Sequence, residues 1–113
     1  DVEKIKSNYT ENTLFYNVMN SGIDEFKTLD EEFSQFDQYM EMFELVGLRE
    51  SGFPDLLDYD GEGAVVISWI EMTFKNRKSG NTATILQHIQ HWFNDEGEIV
   101  REDYYFNPAQ LPQ

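Results

Sequence analysis

The amino-acid sequence predicts an α+β domain in which an antiparallel sheet is backed by a helix. Two stretches carry the prediction. Residues 63–106 read as three consecutive strands, rich in β-branched and aromatic side chains and separated by two polar turns. Residues 29–45 read as an amphipathic helix with a capping signal at its start. With 113 residues there is room for one domain and one core. A hydrophobic content of 40% and an aromatic content of 15% are those of a folding chain rather than a disordered one.

Each element has its own reason. Residues 1–10 read as a short helix, because Val2, Ile5 and Tyr9 fall at i, i+3 and i+7 and make one apolar stripe. Asp1 is placed to cap it, and residues 10–12 end it. Residues 13–19 follow as a strand with apolar side chains on both faces, and Asn20-Ser-Gly22 turns the chain. In the long helix Thr28 and Glu31 form a capping-box pair. Asp30, Glu31 and Glu32 load its first turn with negative charge, where the helix dipole favours it. Leu29, Phe33, Phe36, Met40 and Phe43 repeat at helical spacing, so this face packs on the sheet. Gly47, Gly52 and Pro54 then break the chain into two short edge strands, at 48–50 and 56–59. The carboxylates Asp55, Asp58, Asp60 and Glu62 lack the spacing of a calcium loop and read as a solvated turn.

The three meander strands run over 64–74, 82–93 and 98–106, with turns at 75–80 and 94–97. A four-residue turn at 94–97 sets His91 opposite Val100, Ile89 opposite Glu102 and Gln87 opposite Tyr104, all on one face. Glu71 is placed on that same face. Ile70, Met72, Phe74, Trp92 and Tyr105 are placed on the other, which is too apolar for an exposed sheet face and is expected to meet a second copy of the chain in a homodimer.

Bulk composition excludes several classes. The net charge of −14 repels phosphate backbones and anionic bilayers, so neither nucleic acid nor membrane is an expected partner. There is no cysteine, hence no disulfide or thiolate chemistry. No apolar run approaches the roughly 20 residues of a membrane span, and no signal peptide is visible. The expectation is a cytoplasmic protein. The chain opens at Asp1 rather than Met, which leaves room for an upstream segment. His88 and His91 stand three apart on a strand and point to opposite faces, so no shared metal is expected.

The order of helix, strand, capped helix and a meander ending in HWFNDEGEIVREDYYFNP resembles the SnoaL-like branch of the NTF2-like superfamily. The telling pieces are residues 92–101, 105–108 and 65–69, and the match spans nearly the whole chain. Ketosteroid isomerase and limonene epoxide hydrolase belong to the same superfamily. The resemblance implies a cone: a strongly curved antiparallel sheet wrapped around helices, a pocket inside, and dimer contacts on the outer sheet face. Family members begin with a long helix that lids the cone. This sequence starts at what matches the second helix, so that helix lies outside it or the pocket is more open.

Family roles transfer poorly. The isomerases' general-base Asp falls at Tyr16, their neutral Asp at Ile89, and the polyketide cyclases' acid–base Asp near Tyr104. The pocket face carries a different polar set. His91 beside Glu102, diagonal across the hairpin, is a candidate general base, and Glu71 with Glu102 is a candidate water-activating pair. The expected catalytic residues are His91, Glu102 and Tyr104. The expected ligand contacts are Tyr16, Trp69, Glu71, Gln87, Ile89 and Phe106. The expected function is binding of a small apolar or amphipathic molecule, with isomerase, hydrolase or lyase chemistry and no cofactor. The alternative is a non-catalytic dimeric interaction module or an accessory subunit.

Overall fold

The computed structural model describes residues 2–18, 25–60 and 63–113. Its elements run α1 (Val2–Lys6), β1 (Tyr9–Asn17), α2 (Leu29–Met42), β2 (Phe43–Glu50), β3 (Asp55–Tyr59), β4 (Gly63–Asn76), β5 (Thr82–Phe93) and β6 (Ile99–Tyr105), with a 3-10 turn at Pro108–Gln110. One sheet holds the strands in the order β1-β6-β5-β4, and β2 and β3 share the far edge of β4. β1 runs parallel to β6, and every other pair is antiparallel. The sheet curves without closing, and α2 lies across its concave side.

Turn chemistry sets the meander. After β4, Asn76 Oδ1 accepts from the backbone N–H groups of Lys78 and Ser79, and Gly80 takes a φ of 79°. After β5, Asn94 Oδ1 accepts from Glu96 and Glu98, and Gly97 takes a φ of 77°. The α2 start is the expected capping box: Thr28 Oγ1 accepts from the Glu31 N–H, and the Glu31 carboxylate accepts from the Thr28 N–H.

Four expectations are corrected. The helix at the start stops at Lys6, and Tyr9 and Thr10 belong to β1, where Tyr9 pairs with Ile99. Of its expected apolar stripe, Ile5 is 48% exposed, while Tyr9 packs against the core from β1. α2 ends at Met42, not at 45. Phe43, Glu44 and Leu45 pair with Asn76, Lys75 and Phe74, so the ladder claims residues whose spacing also suits a helix. Third, His91 faces Glu102 and Ile89 faces Tyr104. The turn closes on Asn94 and Glu98, one residue later than expected, and a register shift just beyond Ile99 adds a second step. The total slip is two residues, so the faces of β5 and β6 are kept.

The fourth correction concerns β4, whose faces are exchanged. Met72 pairs with Ile85, Ile70 with Gln87 and Val66 with His91, so these face inward. Phe74 and Ile85 are 4% and 1% exposed, in one core with Phe15, Phe43, Tyr104 and Phe106. Trp69 and Glu71 face out. The apolar row Phe74–Met72–Ile70 gains more by burial than the row that contains Glu71, and Glu71 finds Arg49 outside at 2.8 Å. The expected turn at 20–22 lies outside the described residues, as do residues 61 and 62 of the turn before β4.

Candidate functional site

A cavity of about 90 Å³ lies between α2 and the concave face of the sheet. One water needs roughly 10–15 Å³ by the same measure, so a small organic molecule has room. α2 contributes Glu32, Gln35, Phe36, Tyr39 and Met40. β1 contributes Asn17, β4 Met72 and Phe74, β5 Gln87, and β6 Tyr104, with Phe106 and Leu111 closing the end. The wall is mostly apolar, with a few convergent polar groups.

Two carboxylates organise the polar part. Tyr104 donates its hydroxyl to Glu32 Oε2 at 3.0 Å, and Lys27 Nζ lies 3.8 Å from the same oxygen. Burial pushes the Glu32 carboxyl above the usual carboxylate range, and the charge of Glu102 adds to this. The Tyr104 hydrogen bond and Lys27 pull the other way without cancelling it. Burial, followed by the Glu32 charge, also pushes the Tyr104 phenol up, so it stays a donor.

The second carboxylate is Glu102, 8% exposed. Its Oε1 accepts from the Tyr9 hydroxyl at 2.6 Å and lies 2.7 Å from His91 Nε2. Burial raises the Tyr9 phenol, and the Glu102 charge raises it further. The Tyr9–His91–Glu102 group lies beside the cavity rather than in its wall.

The inner face therefore brings together His91, Glu102 and Tyr104, with Gln87 and Phe106 at the cavity and Ile89 packed against the core. It does not include three residues expected there. Tyr16 faces out, under the Arg101 guanidinium at 4.3 Å from its ring centre, because β1 alternates and Phe15 and Asn17 take the inner positions. Trp69 is 46% exposed on the outer face, its ring 4.1 Å from that of His88. Glu71 is bound to Arg49 on the same face, and takes no part with Glu102. His88 and His91 do point to opposite faces. Among the described residues no group of three His, Asp or Glu side chains is placed to hold a metal. No helix among them is long and apolar enough to cross a membrane.

Three residues escaped the sequence reading. Glu32 has a sufficient local explanation in the helix dipole, yet it stands four residues before Phe36 and seven before Tyr39, on the buried side of the stripe. Tyr9 fits the helical spacing of Val2 and Ile5, which hides its place in β1. Asn17 sits at the last inner position of β1, two residues after Phe15.

No family model matches the chain, and no curated protein matches its sequence. Solved structures do. A candidate SnoaL-like polyketide cyclase from Mesorhizobium loti aligns over 92% of this chain and 84% of its own, with 18% identity and a TM-score of 0.63. A ketosteroid isomerase-like protein from Erwinia carotovora atroseptica aligns over 94% and 81%, with 14% identity and a TM-score of 0.68. The epoxide hydrolase/cyclase-like enzyme SalBIII, of pyran ring formation in salinomycin, aligns over 99% and 82%, with 13% identity and a TM-score of 0.67. The fold is the NTF2-like cone of SnoaL-like proteins.

Proposed function

We propose that this NTF2-like chain binds a small, largely apolar molecule between α2 and the sheet, and that it moves protons on that molecule without a cofactor, as isomerases, hydrolases and lyases do. The carrying observation is Glu32. It is a carboxyl with a raised pKa, bonded by a buried tyrosine, in the wall of an apolar cavity. Such a group can take and return a proton nearer neutral pH than an exposed glutamate can. Tyr104 orients it. His91 and Tyr9 hold Glu102 in place, and the charge of Glu102 adds to the upward shift of Glu32. The neighbours' names, a cyclase, an isomerase-like protein and an epoxide hydrolase/cyclase-like enzyme, support this class of chemistry.

Backbone NMR spectra recorded against a panel of small neutral cyclic compounds test the binding. Shifts are expected at Gln87, Tyr104 and Phe106, and a panel that perturbs only the outer face overturns the reading. Any turnover found is expected to fall about 100- to 10,000-fold in Glu32→Gln. A Glu32→Gln protein that turns over normally removes Glu32 from the chemistry.

A second proposal concerns the outer face. Trp69 and Leu86, 46% and 52% exposed, stand on the β4–β5 surface, and two copies of the chain are proposed to pair there.

A further inference from the structure

Among the described residues of the cavity wall, Asn17 alone carries a buried side-chain polar atom without a hydrogen-bond partner. It ends β1, paired with Tyr104 of β6, so its side chain shares the inner face with Phe15. The residue is only 6% exposed. Its Oδ1 is buried and, among the described residues, has no hydrogen-bond partner. Buried amide oxygens are nearly always paired, and an unpaired one in a cavity wall marks where a donor is wanted.

We infer that the molecule bound in this cavity is an uncharged hydrogen-bond donor: a compact alcohol or N–H compound whose donor meets Asn17 Oδ1 while its apolar body lies against Phe36, Met40, Met72 and Phe74. The inference rests on the cavity reading above and adds the ligand class. The other polar groups narrow it. Tyr104 spends its proton on Glu32, and no donor of Gln35, Tyr39 or Gln87 in the wall reaches Asn17 Oδ1. An anion would meet the charge of Glu102 just beyond the wall, in a chain of net charge −14. A cation would lose its hydration in an apolar cavity whose carboxyl burial holds toward the neutral form. A neutral donor meets neither cost.

The test is an NMR titration of the full chain with two isomers, cyclopentanol and tetrahydropyran. They have the same atoms and similar ring size, but only the alcohol donates. Cyclopentanol is expected to bind about tenfold more tightly, the effect of one hydrogen bond to an otherwise unpaired buried acceptor. Asn17→Leu, close in volume, is expected to bring the ratio to near one. If the isomers bind the unaltered chain equally while both perturb the cavity residues, water satisfies Asn17, and the donor inference falls while the cavity reading stands. If Asn17→Leu keeps the tenfold preference, the donor does not meet Asn17. If neither compound perturbs the cavity residues, the cavity reading fails and takes this inference with it. Should Asn17→Leu not fold, the ratio in the unaltered chain still decides. Tighter binding of cyclopentylammonium than of cyclopentanol would overturn the uncharged assignment.

Discussion

Glu32 couples the cavity to pH. Its carboxyl titrates above the ordinary glutamate value because burial disfavours the charged form, and the Glu102 charge adds to this. The sign follows from linkage. With the folded pKa raised, the folded state holds the proton more tightly than the unfolded one. The contribution to stability is complete below the ordinary glutamate pKa of about 4.3 and is lost as pH rises through the folded value. Glu32→Gln removes that loss and keeps an acceptor for Tyr104. Urea unfolding at a series of pH values from about 4 upward should therefore show the variant gaining on the unaltered chain as pH rises. A constant difference would mean that Glu32 titrates normally. Tyr9 makes a second prediction. Its hydroxyl donates to Glu102 at 2.6 Å in a part-buried site. Tyr9→Phe should cost about 1.5–3 kcal/mol in urea unfolding, the range for a hydrogen bond to a charged group. None of this was legible at the residue scale. A glutamate in a first helical turn has a sufficient local explanation in the dipole, and only the fold shows that α2 rolls it toward the sheet. His91 and Glu102 were legible as partners because alternation fixes the face, even though the register was two residues out.

At the scale of elements, what sequence shows depends on whether a local signal competes with a distant one. The α2 start was legible because Thr28 and Glu31 satisfy each other within one turn. Its end was not, because Phe43 to Leu45 suit a helix until β4 offers them a ladder. The faces of β4 were not legible for a related reason. Both rows are apolar, and the loop that fixes pairing parity closes on Lys75 and Thr82, which only coordinates reveal. Gly63 is another long-range case. It opens β4 with a φ of 94°, and a Cβ there would stand 2.6 Å from the carbonyl oxygen of Phe93. Both the backbone angle and the close approach favour glycine. Gly63→Ala should destabilise by about 1–3 kcal/mol in chemical unfolding. A neutral result would mean that β4 and β5 separate at that end without loss to the fold.

At the scale of the whole molecule, two properties oppose each other on the outer sheet face. Trp69 and Leu86 favour covering it, whereas a net charge of −14 on each copy drives copies apart. The proposed pairing must therefore depend on salt. Raising ionic strength from about 0.1 M to about 1 M shortens the screening length from about 10 Å to about 3 Å and weakens the repulsion while leaving apolar burial intact. Sedimentation velocity should show the dimer fraction rising over that range at fixed protein concentration. Leu86→Glu sets a new like charge at the contact in both copies and should return the protein to monomer at every salt concentration, with the unfolding midpoint that the unaltered chain shows when dilute and monomeric, since Leu86 is already half exposed in the single chain. A monomer that persists in high salt would remove the pairing. The cavity reading would be untouched, because Asn17, Glu32 and Tyr104 lie on the opposite side of the sheet. A dimer that Leu86→Glu leaves intact would move the contact off the β4–β5 surface, to the exposed edge of Leu48 and Leu56, where an unpaired strand edge gives backbone pairing a reason to form.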